Sequence, residues 1–217
     1  MYNYKLSILI CSTFDRTKSF NKVLKDLKAI PNTVRKMEGT GEHYFWADIS
    51  KDVQILSIID NKQISVGEKR QRLLKLAQGE WIVFFDDDDE PYEYYSDIIL
   101  EAINNNPDID CIGINGVMTT NGENPKTWVH RLGMQIRGNG KQLLTSGYHY
   151  ERPIIHFNPV KREKAIQAGF RDMRFGEDMD YASRLNPLLT KEYFIEKPLF
   201  HYRYTNQMPH NEKYGIK

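Results

Sequence analysis

Two cysteines in 217 residues are too few for a disulfide framework, and neither Cys11 nor Cys111 has metal-ligand spacing. Both sit in apolar, strand-like runs, where core thiols in a reducing compartment are expected. No apolar run approaches the length of a membrane span, and Met1–Lys5 opens no signal peptide. A soluble, cytoplasmic chain without a transmembrane segment is therefore expected. Charge of one sign is missing too: 30 Lys and Arg against 29 Asp and Glu leave no basic surface for nucleic acid. There is no internal repeat and no low-complexity linker. Residues 1–217 fit one large domain, long enough to bury a sizeable core. Nothing in the chain specifies an oligomeric state.

What is present centres on Trp81–Pro91, WIVFFDDDDEP. Trp81–Phe85 are aromatic or β-branched and lack polar alternation, as in a buried, central strand of a parallel sheet. Asp86–Asp89 follow at once, and in open α/β sheets ligands bind just past the carboxyl ends of strands. Four adjacent carboxylates repel one another. A hard divalent cation relieves that repulsion, and a phosphate can complete its coordination. Most Asp runs are solvated turns, but the position directly after a buried strand favours metal–phosphate binding here.

Around this stretch, strands and helices alternate. Lys5–Cys11 reads as a first strand, and Ser12–Arg16 as a loop. A helix with Phe20, Val23, Leu24 and Leu27 on one face should end at Pro31. Met37–Lys51 has no clear period and reads as loop. Val53–Asp60 is a second strand, and Ser65 with Glu68 has capping-box spacing for a helix through Ala77, closed by Gly79. Pro91 suits the first turn of a helix carrying Tyr95, Ile98, Ile99, Ala102 and Ile103 as core. Asp110–Val117 is a fourth strand, and Asn121–Gly122 a turn towards a partner strand over Trp128–Ile136. This order is the α/β signature.

The second half is less regular. Arg137–His149 is weakly patterned, Pro159–Ala168 a short helix, and Tyr193–Ile195 a last strand. Gly176 precedes Glu177, Asp178 and Asp180 at the start of a helical run to Leu185. Acidic residues in a first turn are often only partners of the helix dipole, which accounts for Glu177 and Asp180 better than for three carboxylates gathered after a glycine. Trp128, Tyr148, Tyr150 and His156 lie where a second substrate would dock, although aromatic core packing explains any one of them. His201 alone reads as structural.

Together these segments resemble the family-2 glycosyltransferases of the GT-A fold: a Rossmann-like, mostly parallel sheet flanked by helices, with a smaller irregular acceptor-side region. SILICSTFDR resembles the family's opening strand and nucleotide loop, though Cys11 stands where proline is commoner and the loop is one residue longer. That similarity implies donor contacts from Ser12, Thr13 and Arg16. ILSIIDNKQISVGEKRQRLLKLAQGEWIVFFDDDDEP resembles the next strand, helix and metal-binding strand. It implies that Asp60 contacts the nucleotide base, that Arg70 and Asp87 help hold the nucleotide, and that Asp86 and Asp88 form the DxD motif. Gln71 stands where asparagine is usual. GFRDMRFGEDMDYASRL resembles the segment that supplies the catalytic base, implying Asp178 in that role with Glu177 near the acceptor. His201 falls where many relatives place a metal ligand. DxD alone is weak, but DxD followed ninety residues later by GED and then a C-terminal histidine is far more specific.

The resemblance implies an inverting, hexosyltransferase-type enzyme, with Mn²⁺ or Mg²⁺ on Asp86, Asp88 and His201. The donor would be a nucleoside-diphosphate sugar, UDP-linked by preference, with guanosine and thymidine diphosphates still open. The acceptor would be a glycan, a lipid-linked sugar or another hydroxyl compound, with Trp128 and His156 as candidate contacts. Residues 1–117 would form the nucleotide-sugar half and 118–217 the acceptor-binding and catalytic half. A sugar nucleotidyltransferase would need a glycine-rich loop after the first strand, and Ser12–Arg16 has no glycine. A non-catalytic nucleotide-sugar or metal-binding module is the other alternative, and a degenerate transferase would more often have lost either DxD or GED.

Overall fold

The computed structural model describes residues 3–36 and 41–205. β1 (Tyr4–Thr13) runs into a 3₁₀ turn and α1 (Thr17–Asp26), followed by β2 (Ile30–Lys36), β3 (His43–Ser50) and β4 (Val53–Asp60). Then come α2 (Val66–Leu76), β5 (Gly79–Phe84), the two-residue β6 (Glu90–Pro91) and α3 (Tyr95–Asn105). The second half holds β7 (Cys111–Thr120), β8 (Glu123–His130), β9 (Tyr150–Arg152), β10 (Val160–Lys161), α4 (Arg162–Ala168), α5 (Glu177–Leu185), β11 (Glu192–Phe194) and β12 (Phe200–Tyr204). The sheet runs β2-β3-β4-β1-β5-β10-β7-β12-β6. Its centre, β4-β1-β5, is parallel, and antiparallel strands flank it. No helix among the described residues is long and apolar enough to cross a membrane.

The central strands read as continuous apolar runs because helices cover both of their faces. Leu6, Ile8 and Ile10 of β1 pack with α1 and α3 through Phe20, Val23, Ile99 and Ile103. Leu9 points the other way, into a second core with Leu73 and Leu74 of α2, Ala165 of α4 and Tyr181 of α5. α2 starts where its cap predicts: Ser65 Oγ accepts from Glu68 N–H at 3.0 Å. Asn121 and Gly122 both have positive φ, 53° and 82°. That is the primed two-residue turn that joins β7 to β8, whose register shifts between Met118 and Thr120.

Several local expectations are corrected. The stretch read as loop contains β3, an inner strand paired on both sides; Met37–Thr40 lie outside the described residues. α1 ends at Asp26, and Pro31 lies in the edge strand β2. Pro91 sits in β6 rather than in a helical turn, and Gly79 opens β5, donating its N–H to Ser7 Oγ. The partner strand of β7 stops at His130. The last strand is β12, which pairs with β7 and β6.

One close contact sets α2 against the segment that leads into α5. Gly67 N–H donates to Met173 O at 3.1 Å, and a Cβ at this position would lie 2.1 Å from Arg171 O. Gly67→Ala should therefore destabilise the protein by about 1–3 kcal/mol through overpacking against backbone. Urea denaturation would read this as a lower midpoint; an unchanged midpoint would count against the packing described.

Candidate active site

Leaving β5, the four aspartates turn alternately inwards and outwards. Asp87 and Asp89 are buried, whereas Asp86 and Asp88 keep 34% and 36% of their side chains exposed. Ser12 Oγ donates to Asp87 Oδ2 at 2.5 Å. Arg16 Nη2 lies 2.7 Å from Asp87 Oδ1 and 2.5 Å from Asp88 Oδ2. Burial nevertheless lifts the Asp87 carboxyl to about 6, against the pull of Arg16 and Ser12. Asp89 is pushed well above the usual carboxylate range, by burial first and then by Asp86 and Asp88. It accepts one bond from Arg203 N–H, and its Oδ2 has no partner.

Arg70, on α2, is buried and lies between the end of β5 and the start of α5. Its Nη2 is 3.2 Å from Asp86 Oδ1 and its Nη1 3.2 Å from Glu177 Oε1. Its guanidinium carbon lies 5.7 Å and 5.8 Å from the ring centroids of Phe84 and Phe170. His156 is buried, with Nε2 3.9 Å from Asp86 Oδ1. Burial, then Arg70, hold that imidazole neutral, well below its ordinary range.

α5 begins at Gly176, whose φ of 76° is left-handed and suits glycine. The three acids that follow have different fates. Glu177 is buried on Arg70; Asp180 pairs with Arg171 at 3.0 Å and Arg184 at 2.5 Å. Among the described residues Asp178 makes no ion pair, and its Oδ1 accepts from Met179 N–H at 2.9 Å. It lies close enough to bias Arg70, Asp86 and Arg152 electrostatically.

The other expected residues sit elsewhere. Asp60 is fully buried and ion-paired with Lys69, and its Oδ2 accepts from Ile64 N–H at 3.0 Å. Lys69 also donates to Ser12 O at 2.8 Å, so it ties together the ends of β1 and β4. Asp60 thus anchors strands rather than presenting an open carboxylate. Lys69 was missed because nothing in the sequence separates its buried cation from the exposed Lys75 of the same helix. Thr13 bonds Asp15 at 2.5 Å. His201 Nε2 lies 2.7 Å from Thr119 Oγ1 and Nδ1 3.4 Å from Glu90 Oε2, so both ring nitrogens have partners other than the Asp run.

Beyond α5, β7, β8, β9 and β12 enclose a cleft of about 380 Å³, lined by Trp128, His130, Tyr150, Arg152, Phe157 and Tyr202 among others. Trp128, an expected acceptor contact, lines it; His156 lies beneath, its ring 3.9 Å from that of Phe157. Arg152 and His130 carried no sequence signal.

No group of three His, Cys, Asp or Glu among the described residues is arranged to hold a metal. Asp86 and Asp88 still fit a hard cation of the kind that takes one or two carboxylates and completes its shell with water and substrate phosphate. Both are partly open, and they crowd beside an Asp89 oxygen without a partner. The ring contacts of His201 do not fit that role in this conformation.

The family model described as Glycosyl transferase family 2 matches residues 47–163, just over half of the chain. The chain belongs to glycosyl transferase family 2. The matched span contains Asp60, Arg70, Asp86–Asp89 and His156, and stops before α5. Among solved structures this family-2 chain is similar to S. aureus TarS. It matches TarS 1–349 in complex with UDP-GlcNAc at TM-score 0.60 and 13% identity, covering 96% of this chain and 60% of that one. The UDP complex gives 0.58 and 15%, over 92% and 60% of the two chains. Another TarS structure gives 0.52 and 12%, over 92% and 36%. At such identities the likeness is one of fold, which is GT-A, and the chain spans about 60% of TarS 1–349. No curated protein matches the sequence.

The buried His130 gives the cleft a measurable acid sensitivity. Burial, and next the charge of Arg152, lower its pKa from 6.5 to about 3. The unfolded chain binds a proton on this histidine below about 6.5, and the folded chain does not until about 3. Stability from this site is thus complete above pH 6.5 and falls by about 1.4 kcal/mol per unit on acidification between those values. His130→Gln should flatten the pH dependence of unfolding free energy across pH 6.5 to 4. A variant whose curve runs parallel to that of the parent would contradict the assignment.

Proposed function

We propose that this chain transfers a sugar from a UDP-linked donor to an acceptor hydroxyl, with inversion at the anomeric carbon. The observation that carries this reading is the isolation of Asp178. Of three carboxylates opening α5 it is the one left without a cationic partner, and it lies within electrostatic reach of both the Asp run and the aromatic cleft. The UDP-GlcNAc and UDP complexes of the fold neighbour TarS support the donor class. Residues 1–117 serve the donor and residues 118–217 the acceptor and the base.

In the proposed reaction the acceptor oxygen attacks the anomeric carbon while Asp178 takes its proton. The bond from that carbon to the diphosphate oxygen breaks, and the electron pair leaves with the diphosphate. A divalent cation held by Asp86 and Asp88 would neutralise the charge growing on the leaving group. Arg16, half-exposed at the rim, balances Asp87 and Asp88 before the donor arrives. Arg70 keeps Asp86 in place and, through Glu177, fixes the start of α5 and hence Asp178. The attacking hydroxyl enters from the cleft, on the side opposite the diphosphate, so direct displacement inverts the configuration.

Asp178→Asn keeps the shape of the side chain and removes its basicity. UDP binding should survive while transfer falls by a factor of about 10² to 10⁴. Near-normal transfer, or a product of retained configuration, would overturn the mechanism. Asp88→Asn should abolish the Mn²⁺-dependent part of UDP binding, with apo stability unchanged or raised because a crowded charge is lost. Calorimetric titration with and without Mn²⁺ separates that outcome from undiminished binding, which would remove Asp88 from the metal site.

A further inference from the structure

Arg152 is the least compensated cation in the cleft. Its side chain is half-buried, yet among the described residues no carboxylate lies within ion-pair distance of it. Its Nη1 donates only to two backbone carbonyls, Glu151 O at 2.9 Å and Arg137 O at 3.3 Å. Its guanidinium carbon lies 5.9 Å from the centroid of the Tyr150 ring. Two further cleft residues carry a buried polar atom with no partner, Trp128 Nε1 and His130 Nδ1. Both side chains are more than nine-tenths buried. Buried polar atoms are normally paired, and each unpaired one costs about 1–3 kcal/mol. An unneutralised guanidinium beside two such atoms and a wall of aromatic rings is unfavourable in the empty protein. It becomes favourable when a ligand brings a flat apolar face and a negative charge together.

Resting on the transferase reading above, we propose that the cleft selects an acceptor that joins a sugar or comparable ring to an anionic group, phosphate or carboxylate, read by Arg152. The rings of Trp128, Tyr150 and Tyr202 offer faces to the acceptor ring. Trp128 Nε1 can donate to a ring hydroxyl, and His130 Nδ1 gains a partner. Arg152 forks towards the anion with the N–H groups that no carboxylate takes up. Arg152 lies within electrostatic reach of Asp178. Recognition of charge and removal of the proton thus fall to separate residues.

The test uses the full chain with UDP present and three probes of one ring size: glucose 6-phosphate, glucuronate and glucose, titrated by saturation-transfer NMR. At least one anionic ring should bind about tenfold or more tightly than glucose, and the preference should weaken as salt rises. Arg152→Gln should abolish the preference and Arg152→Lys should restore part of it. A phosphate-only or carboxylate-only preference identifies which anion is read. As a cation without a carboxylate partner, Arg152 contributes little to folding, so Arg152→Gln should leave the melting temperature within a few degrees of the parent or raise it. Equal binding of all three probes, binding of none, a preference that survives Arg152→Gln, or a fall in melting temperature beyond about 5 °C would each overturn the proposal. UDP binding in the same titrations separates the two levels. With UDP bound and no anion preference, the acceptor class alone falls; with no UDP binding, the transferase reading falls first.

Discussion

The site depends on a single buried guanidinium. Arg70 reaches from α2 to the carboxylate that ends β5 and to the first carboxylate of α5, elements more than ninety residues apart. Between the rings of Phe84 and Phe170 it has few alternatives to those two partners. Removing one partner of a buried ion pair commonly costs about 3–5 kcal/mol, because the other charge is left unbalanced. That penalty makes the relative placement of β5 and α5 stiff. Stiffness matters for the proposed base, since a catalytic group misplaced by about an ångström loses much of its effect.

The Asp run is a balance of the same kind, solved by alternation. The run lies in a turn, where Asp89 N–H donates to Asp86 O at 3.4 Å, and that turn divides four like charges into two that are buried and two that stay partly exposed. The inward pair is stabilised locally, Asp87 by Ser12 and Arg16 and Asp89 by a single backbone amide. Burial lifts both above the usual carboxylate range. The outward pair stays partly exposed, where an incoming cation or phosphate-bound ion can meet it. A run of four is therefore more than a repeated ligand: two residues present charge, and two fix the turn that presents it.

How much of this was legible in the sequence follows from where each signal is stored. β1, β4 and β5 could be read because helices cover both faces, leaving uninterrupted apolar runs, and α2 because its cap is local chemistry between Ser65 and Glu68. β3 could not, since His43–Ser50 mixes buried and half-buried positions without a clean period. β12 is aromatic and basic without a strand signal of its own, and its strand character comes from pairing with β7 far away in sequence. Pro91 has the same preference for a helix start or a strand edge, and only the pairing with Phe200 decides between them. The position of the acidic run at a strand end was local information. That Asp60 would be buried on Lys69, or that His201 would turn to Thr119 and Glu90, was not, because partner choice is a tertiary property.

The same reasoning explains why Asp178, singled out by the family resemblance, differs from its neighbours in the fold. Three carboxylates within four residues are each favourable near the helix dipole, although Glu177 and Asp180 point about 100° and 200° away from Asp178 on a helix. The surroundings then separate them. Arg70 is already committed to Asp86 and takes Glu177, the buried one of the three. Arg184, one turn on, takes Asp180 with help from Arg171. Supplying cations to the two flanking acids leaves the middle one, among the described residues, without an ion pair and within electrostatic reach of Arg152. Under the proposed mechanism the two groups divide the work: the Asp178 carboxylate receives the proton, and the Arg152 cation holds the molecule that gives it up.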